Sequence, residues 1–295
     1  MINKFNNLVI TDNGTRDIRD KEEFPVIDIH ELQDIFLLSI DDEYRRKNFD
    51  TYKFYDIPVP RVSNILKECI NKEFLVRWAA SIGKQEMYLQ QKKATTVGTI
   101  VHGLIEDHLH GLEYTDKYSN KVPKSYIPLI KRAYHNFLDW EKNLNKNGYF
   151  IDAVIGTEIP ISCPYYGGTI DCIASINGML YILDWKTSKS ISFEYIIQTC
   201  AYLWCINSGY MKNLPPVNGI GIVKVDKEKK KFEDLFLNLN DSEQSMIIDY
   251  YIQGFGALLN SYYNTINMKN LFSYYKKTYN IESALGGEKY VFSNN

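Results

Sequence analysis

The segment from Tyr149 to Ser188 constrains the fold of this chain most. Its residues are mainly β-branched and aromatic, and prolines and glycines interrupt them, which is typical of three successive strands. Asn177-Gly178 separates the last two strands. This dipeptide is the strongest short signal for a tight hairpin, because both central positions of a type I′ turn need positive φ. The sequence therefore predicts a strand meander whose final hairpin has a fixed register.

Two carboxylates meet across this predicted hairpin. Counting outward from a two-residue loop places Asp171 directly opposite Asp184, and Thr169 opposite Lys186. Opposed side chains share a face with Cβ atoms roughly 4.5–5.5 Å apart, where two negative charges are unfavourable unless one is protonated or a cation lies between them. Oxygen ligands favour a hard divalent cation, with Lys186 on the same face. The alternative is a polar sheet end where Asp184 simply pairs with Lys186.

The rest of the hairpin is apolar, so we expect other elements to cover both of its faces. Ile173 and Ile182 are predicted to lie on the face of the acids. The opposite face is predicted to carry Ile170, Ala174, Leu183 and Trp185.

Amphipathic helical patterns surround the meander. Helices are predicted to begin at about 64 with Ser63 as N-cap, to span 74–91, to run from an N-cap at Thr95 or Thr96 to 110, and to span 124–144, 193–208 and, with Asp241 as N-cap, 241–263. Strands are predicted at 50–57, 219–225 and 232–239. The apolar patch at 24–40 is compatible with a strand and a short helix. This order indicates an α/β or α+β fold with a central mixed sheet flanked by helices. Residues 1–57 are expected to form an N-terminal arm or cap, 58–265 the main domain, and 266–295 a C-terminal extension.

Composition excludes several classes of protein. The 34 Lys and Arg against 36 Asp and Glu give a net charge of −2, so a nucleic-acid partner would have to bind through a local basic patch. The five cysteines form no CxxC motif, which argues against an iron–sulfur cluster and for reduced thiols in the cytoplasm. No apolar run is long enough to span a bilayer, so no membrane partner is expected.

Several motifs together resemble the PD-(D/E)xK nuclease superfamily in its RecB-type branch. The resemblance is closest to the mitochondrial genome maintenance exonucleases and their phage relatives, and it covers roughly residues 58–205. The motifs are Gly167-Gly168-Thr169-Ile170-Asp171, Ile182-Leu183-Asp184-Trp185-Lys186-Thr187-Ser188, Gln198-x-x-x-Tyr202, the G-x-x-x-H of Gly98 to His102, and the helical region of Pro60–Leu66 with Arg77–Ala80. The superfamily name's "P-D" is here Thr169-Ile170-Asp171, as is usual for this branch.

The resemblance implies a restriction-endonuclease-like core with an N-terminal helical region. It also implies roles for individual residues. The metal ligands would be Asp171, Asp184, the Trp185 backbone carbonyl and His102, and Glu158 would assist the metal site. Lys186 would be the catalytic lysine. The residues that contact the substrate would be Gln198, Tyr202 and Arg61. Read without the family, Glu158 is a strand-end carboxylate in solvent, and His102 is an ordinary structural or surface histidine. Gly98, one turn before His102, permits close approach of the helix to the sheet and favours His102 as a ligand.

The expected activity is hydrolysis of phosphodiester bonds by a Mg²⁺- or Mn²⁺-dependent deoxyribonuclease. We expect an exonuclease acting on single-stranded or flapped DNA ends, in replication, recombination or repair in a bacterial cell or a phage-infected host. The alternatives are a structure-specific endonuclease on the same fold and a non-catalytic DNA-binding module. Degenerate modules lose the acid or the lysine, whereas this sequence has Asp171, Asp184 and Lys186.

Overall fold

The computed structural model describes residues 45–46, 48–49, 51–70, 73–112 and 118–279, except for the side chains of 74, 75, 275 and 277–279. The helices are α1 Val62–Cys69, α2 Glu73–Ile82, α3 Lys84–Leu109, α4 Ile127–Lys146, α5 Phe193–Asn207 and α6 Ser242–Tyr279, with a single 3₁₀ turn at Lys124–Tyr126. The strands are β1 Tyr52–Phe54, β2 Ile57–Val59, β3 Ile151–Ser162, β4 Gly167–Ile176, β5 Met179–Lys186, β6 Gly219–Val225 and β7 Phe232–Asn238.

The predicted α+β architecture with a mixed sheet is confirmed. Five strands form one sheet in the order β3-β4-β5-β6-β7, and β1 pairs with β2 in a separate small sheet. All neighbours in the large sheet are antiparallel except β5 and β6, which are parallel and joined through α5. The carboxyl ends of β5 and β6 therefore lie at the same edge of the sheet.

The hairpin turn is as predicted, and it fixes the register of β4 and β5. Ile176 pairs with Met179, and the ladder continues to Cys172 opposite Leu183. Asn177 and Gly178 have φ of 49° and 77°, as a type I′ turn requires. The Asn177 side chain accepts from the Phe150 N–H at 2.8 Å, which ties the turn to the start of β3.

Helices cover both faces of the sheet, which is why both faces are apolar. One core cluster joins the sheet to α1, α5 and α6, and it contains Ile173, Ile182 and Ile222. The other joins the sheet to α3 and α4. Ile170 belongs to the first cluster, so its predicted place on the opposite face with Ala174 is wrong. Residues two apart on a strand normally share a face, but Ile170 and Cys172, on either side of Asp171, lie on opposite faces.

Several element ends differ from the prediction. The segment predicted as one strand at 50–57 is instead the β1–β2 hairpin, with Tyr55 at φ 52°. Gly83, at φ 86°, divides the 74–91 helix into two, and α3 then runs without a break past Thr96. The Thr96 hydroxyl donates to the Lys92 carbonyl at 2.9 Å inside the helix and so caps nothing. α1 begins at Val62, with Arg61 and not Ser63 at the cap.

The C-terminal helix is longer than predicted. Asp241 caps it by accepting from the N–H groups of Glu243 and Gln244, both at 3.0 Å. It continues to Tyr279, across the predicted boundary between the main domain, 58–265, and the C-terminal extension, 266–295. Residues 280–295 and most of the predicted arm, including the apolar patch 24–40, lie outside the described residues. None of the described helices combines the length and apolar character needed to cross a bilayer.

Candidate metal centre

Three potential ligands from three elements converge beside the end of the β4–β5 ladder. They are His102 on α3, Glu158 on β3 and Asp171 on β4, and their ligand atoms all lie within 4.8 Å of one another. His102 Nδ1 lies 3.5 Å from Asp171 Oδ2. Two of these residues are only 13 apart in sequence, but His102 is brought in by the docking of a separate helix. The group is therefore a product of the tertiary fold.

Asp171 is the centre of this arrangement. Its Oδ2 accepts from the Trp185 N–H at 2.9 Å, so the carboxylate lies between β4 and β5 where the paired ladder has ended. Burial alone would raise the pKa of Asp171. The hydrogen bond and charge of His102, the charge of Lys186 and the Trp185 N–H outweigh burial and lower that pKa, so the carboxylate is ionised.

The hydrogen bond from the Trp185 N–H to Asp171 takes the place of the strand pairing predicted at this level of β4 and β5. The ladder of β4 and β5 ends one level before Asp171 and Asp184, and Thr169 does not pair with Lys186. Thr169 pairs with Pro160 on β3, and its hydroxyl lies 2.7 Å from the Tyr52 hydroxyl. The two acids still lie at the same level of adjacent strands, because Cys172 and Leu183 are the last partners before them.

Asp184 and Lys186 form a buried ion pair. Lys186 Nζ lies 2.7 Å from Asp184 Oδ2 and donates to Oδ1 at 2.8 Å. Burial raises the pKa of Asp184 to about 6, and the Asp171 charge adds to this while Lys186 opposes it. Burial would lower the pKa of Lys186, but the two carboxylates raise it, so the lysine is charged. The Tyr195 ring, on α5, lies 4.8 Å from the same ammonium, a neighbour that the motif did not reveal.

The donor set fits a divalent cation. His102, Glu158 and Asp171, here called the trio, supply two carboxylates and one imidazole, and oxygen-rich sets suit Mg²⁺ or Mn²⁺. In addition, Asp184 Oδ2 is buried and receives no hydrogen bond from any described residue, although the ammonium is close to it. The Lys186 ammonium, 2.7 Å away, already compensates the charge of this oxygen, so the oxygen by itself does not require a metal ion.

Glu158 has an unusual backbone. Its φ is 47°, in the left-handed region that a non-glycine residue adopts only where the surroundings impose it. Its neighbours Thr157 and Ile159 pair with Cys172 and Ile170, so Glu158 lies level with Asp171. Burial and the Asp171 charge raise the pKa of Glu158. Glu158 lies within β3 and not at its end, so the predicted strand-end position is wrong, while its side chain is exposed as the solvated alternative expects.

Two hydrogen bonds to the Thr157 hydroxyl link β3 to α3 next to the trio. The Thr157 hydroxyl donates to Glu106 Oε1 at 2.8 Å. His110 Nε2 lies 2.9 Å from the same hydroxyl oxygen and donates to it, since the single hydroxyl proton is already used. Glu106 lies one helical turn after His102, a spacing that predicts contact between the two, but its carboxylate accepts from Thr157. The polar pairing across α3 and β3 has no local sequence signal.

The histidine of the trio is mostly buried. Burial works against protonation of His102, but its hydrogen bond to Asp171 and the carboxylate charges raise its pKa, while Lys186 opposes them. Gly98 lies one turn earlier, and a Cβ added there would be 3.4 Å from the Thr187 hydroxyl oxygen. This is ordinary contact, so α3 approaches the end of β5 closely without requiring a glycine.

The predicted substrate residues lie around this centre. Gln198 donates to the Tyr202 hydroxyl at 2.9 Å, and burial raises the pKa of that hydroxyl, with the charges of Asp184 and Asp171 adding to it. Arg61 is farther out. It bonds to the Thr51 hydroxyl at 3.1 Å, and its guanidinium lies 5.6 Å from the centre of the Tyr52 ring. The Trp185 N–H bonds to Asp171, while the role of its carbonyl stays a prediction.

No protein-family model matches this sequence, and no curated protein matches it. The matches among solved structures include one described as "Crystal structure of SSO0001", which is 13% identical. That match covers 77% of this chain and 86% of the other, with a TM-score of 0.27. A likeness at this level carries no argument about function.

Proposed function

We propose that this protein is a divalent-metal-dependent nuclease of the PD-(D/E)xK type that hydrolyses phosphodiester bonds of DNA. One observation carries the proposal: the ligand atoms of His102, Glu158 and Asp171 lie within 4.8 Å of one another. The buried Asp184–Lys186 pair lies beside them, on the strand next to Asp171. All of these residues except Glu158 belong to the motifs that resemble the superfamily.

The trio would hold a Mg²⁺ or Mn²⁺ ion, with Asp184 Oδ2 as a further oxygen ligand. A bound divalent cation supplies Lewis acidity toward a phosphate oxygen and toward an attacking water. The protein's own contribution is orientation. Asp171 is held by the Trp185 N–H, and Glu158 is held against α3 through Thr157 and Glu106.

Lys186 is positioned to neutralise charge in the transition state. Its ammonium is fixed by Asp184 and by the Tyr195 ring, in a site from which most water is excluded. A preorganised cation in such a place stabilises negative charge on a phosphoryl oxygen better than a solvated one does. Gln198 and Tyr202 border the same space, and we assign them to orienting the substrate phosphate.

The proposal is tested by measuring metal binding and cleavage separately. Titration calorimetry with Mn²⁺ on Asp171→Asn should show affinity at least about 10-fold weaker than the parent, since loss of even an outer-shell partner has effects of this size. Digestion of single-stranded DNA should be abolished in Asp171→Asn and in Lys186→Ala. Asp139→Asn, on α4 and outside this site, is the matched control and should match the parent in both assays. A parent-like Asp171→Asn variant would overturn the site.

We further propose exonuclease action on single-stranded or flapped ends, in bacterial or phage-infected cytoplasm. All five cysteines lie in the described part of the chain as free thiols, which agrees with a reducing compartment. End-labelled linear DNA and closed circular single strands separate the two modes of cutting. Degradation of the circle would instead establish the endonuclease alternative.

A further inference from the structure

A tyrosine of the small β1–β2 sheet lies along the start of β4, next to the candidate metal centre. A Cβ added to Gly167 would be 2.5 Å from the Cβ of Tyr52, so the tyrosine side chain begins against this glycine. Its hydroxyl lies 2.7 Å from the Thr169 hydroxyl. The Tyr52 side chain therefore extends over two residues of β4, about 7 Å, in the direction of Asp171. Asp171 is two residues farther along the strand.

Tyr52 lies on the face of the sheet from which the centre receives its histidine. Gly168 faces α5, because a Cβ added there would be 2.7 Å from the Tyr202 hydroxyl oxygen. Successive side chains of a strand point to opposite faces, so Thr169 points away from α5. α3 packs on that opposite face and carries His102. The hydroxyls of Tyr52 and Thr169 thus lie on the same side of β4 as α3.

Arg61 lies farther along the same strand, in line with β5. β5 pairs with one edge of β4 no farther than Leu183. At Gly167 that edge pairs with Arg61 instead, and the Gly167 N–H donates to the Pro60 carbonyl at 2.9 Å. The other edge of β4 is occupied by β3 at this level. Gly167 and Asp171 are four residues apart, which places Arg61 about 13 Å from the centre along β4.

The guanidinium group of Arg61 is oriented by its neighbours. Its Nε donates to the Thr51 hydroxyl oxygen at 3.1 Å, and one of its terminal nitrogens donates to the same oxygen. Its Cζ lies 5.6 Å from the centre of the Tyr52 ring, a cation–π distance. A guanidinium has five N–H donors, so several are left after the bonds to Thr51. Arg61 is exposed, and no carboxylate in the described part of the chain forms an ion pair with it.

An oriented guanidinium at the surface suits a phosphate group. Its planar fork can donate two parallel hydrogen bonds to two phosphate oxygens, which a lysine ammonium cannot do. The net charge of the chain is −2, so an anionic partner has to be bound by local groups of this kind. At about 3.4 Å per nucleotide, the separation of about 13 Å corresponds to about four nucleotides. A strand whose phosphate lies at the centre can therefore place a second phosphate at Arg61.

We propose that Arg61 binds a second backbone phosphate of the DNA strand that occupies the candidate metal centre, about four nucleotides from it. Thr51 and Tyr52 are positioning residues, because they act through the guanidinium. The identity of the strand rests on the proposed nuclease function. The site contacts phosphate and no base, so it adds affinity without sequence preference.

The first test measures binding without cleavage. A fluorescein-labelled (dT)₁₂ is titrated in EDTA at several KCl concentrations with the parent and with Arg61→Gln. Loss of one phosphate contact should lower the slope of log K against log [salt] by about 0.7. Affinity should fall about 10-fold or more, as expected for a hydrogen-bonded charge. Arg61→Lys keeps the charge but not the fork, so it should restore the slope and only part of the affinity.

Lys146→Gln is the control for loss of one positive charge. Lys146 ends α4 and is exposed, and the nearby Gly148 carbonyl accepts from the Asn177 side chain in the β4–β5 turn at 2.9 Å. It therefore lies at the opposite end of β4 from Arg61. This variant should keep the parent slope and affinity. An equal loss in both variants, or an unchanged slope in Arg61→Gln, would overturn the proposal.

A double-variant cycle tests the positioning role of Thr51. Thr51→Val removes the hydroxyl that orients the guanidinium and should weaken (dT)₁₂ binding about 3-fold. If Thr51 acts through Arg61, the same substitution should have no effect in the Arg61→Gln background. Equal losses in the two backgrounds would overturn this role. If Arg61 instead only fastens the β1–β2 sheet, Arg61→Gln lowers the melting temperature while its slope stays that of the parent.

A cleavage assay separates this phosphate site from the proposed nuclease function. With Mn²⁺, Arg61→Gln should raise KM for (dT)₁₂ about 10-fold, with a smaller change in kcat, because Arg61 lies away from the scissile phosphate. If the parent binds DNA through Arg61 but cuts nothing, the proposed nuclease function fails and the phosphate site stands. If the parent cuts and Arg61→Gln binds DNA as the parent does, the phosphate site fails alone.

Discussion

Gly168 and Tyr202 give the sharpest test of how the centre is packed. A Cβ added to Gly168 would lie 2.7 Å from both the Cζ and the hydroxyl oxygen of Tyr202. The ring cannot easily move aside, because it is 4% exposed and its hydroxyl accepts from Gln198. Overpacking of this kind destabilises a core by about 1–3 kcal/mol. Gly168→Ala should therefore lower the melting temperature by about 2–12 °C for a domain of this size.

Gly98→Ala is the matched control and should act with the opposite sign. The new Cβ would make ordinary contact with Thr187 at 3.4 Å, and alanine within a helix is favoured over glycine by about 0.5–1 kcal/mol. Differential scanning fluorimetry and urea unfolding measure both variants. Tyr202→Leu removes the ring, so in that background the cost of Gly168→Ala should largely disappear. An unchanged cost in the double variant would refute the packing argument.

Three further predictions concern stability away from the metal centre. Asp234→Ala removes the acceptor that lies 2.9 Å from the buried Trp140 Nε1. It should lower the free energy of unfolding measured in urea by about 1–3 kcal/mol. Asp234→Asn keeps an acceptor oxygen and should lower it less. Gly178→Ala places a Cβ at φ 77° and should cost about 1–2 kcal/mol, whereas Gly254→Ala, on α6 with open space around it, should not destabilise. The hydrogen bond to Glu141 raises the pKa of His108 against the effect of burial. Below pH about 6.5, the free energy of unfolding of the parent should therefore exceed that of Glu141→Gln by about 0.5–1 kcal/mol. This advantage should vanish as pH rises through the folded-state pKa of His108. A pH-independent difference between the two melting curves would contradict the last prediction.

Local chemistry made the β4–β5 hairpin predictable. The turn needs two residues with positive φ, and Asn177-Gly178 supplies them, so the register from Ile176 outward follows by counting. The hydrogen-bonded ladder ends before Asp171, because the Asp171 carboxylate takes the Trp185 N–H, although Asp171 still lies level with Asp184 as the count predicts. Whether a polar side chain replaces a strand partner depends on the surrounding fold. Turn chemistry alone contains no information about it.

The helices show the same division between local and tertiary causes. Asp241 caps α6 as predicted, because an N-cap acts within a few residues. Thr96 was predicted to start a helix but bonds to Lys92 inside one, since a threonine hydroxyl satisfies either geometry. The left-handed Glu158 and the Thr157–Glu106 bond had no sequence signal at all. Both arise where α3 meets β3, two elements more than forty residues apart in the chain.

Because the candidate centre is divided between one helix and the sheet, binding of the proposed ion would be coupled to local unfolding. Asp171, Asp184 and Lys186 stay together wherever β4 and β5 stay paired, but His102 joins them only while α3 is docked. A cation that contacts both parts stabilises the docked helix by about 2.7 kcal/mol at a free concentration 100 times its Kd. Backbone amides of α3 should then exchange with deuterium more slowly when Mn²⁺ is added, with smaller changes in the amides of β5. If the ion leaves only after this helix undocks, the rate of undocking sets an upper limit on the rate of ion release.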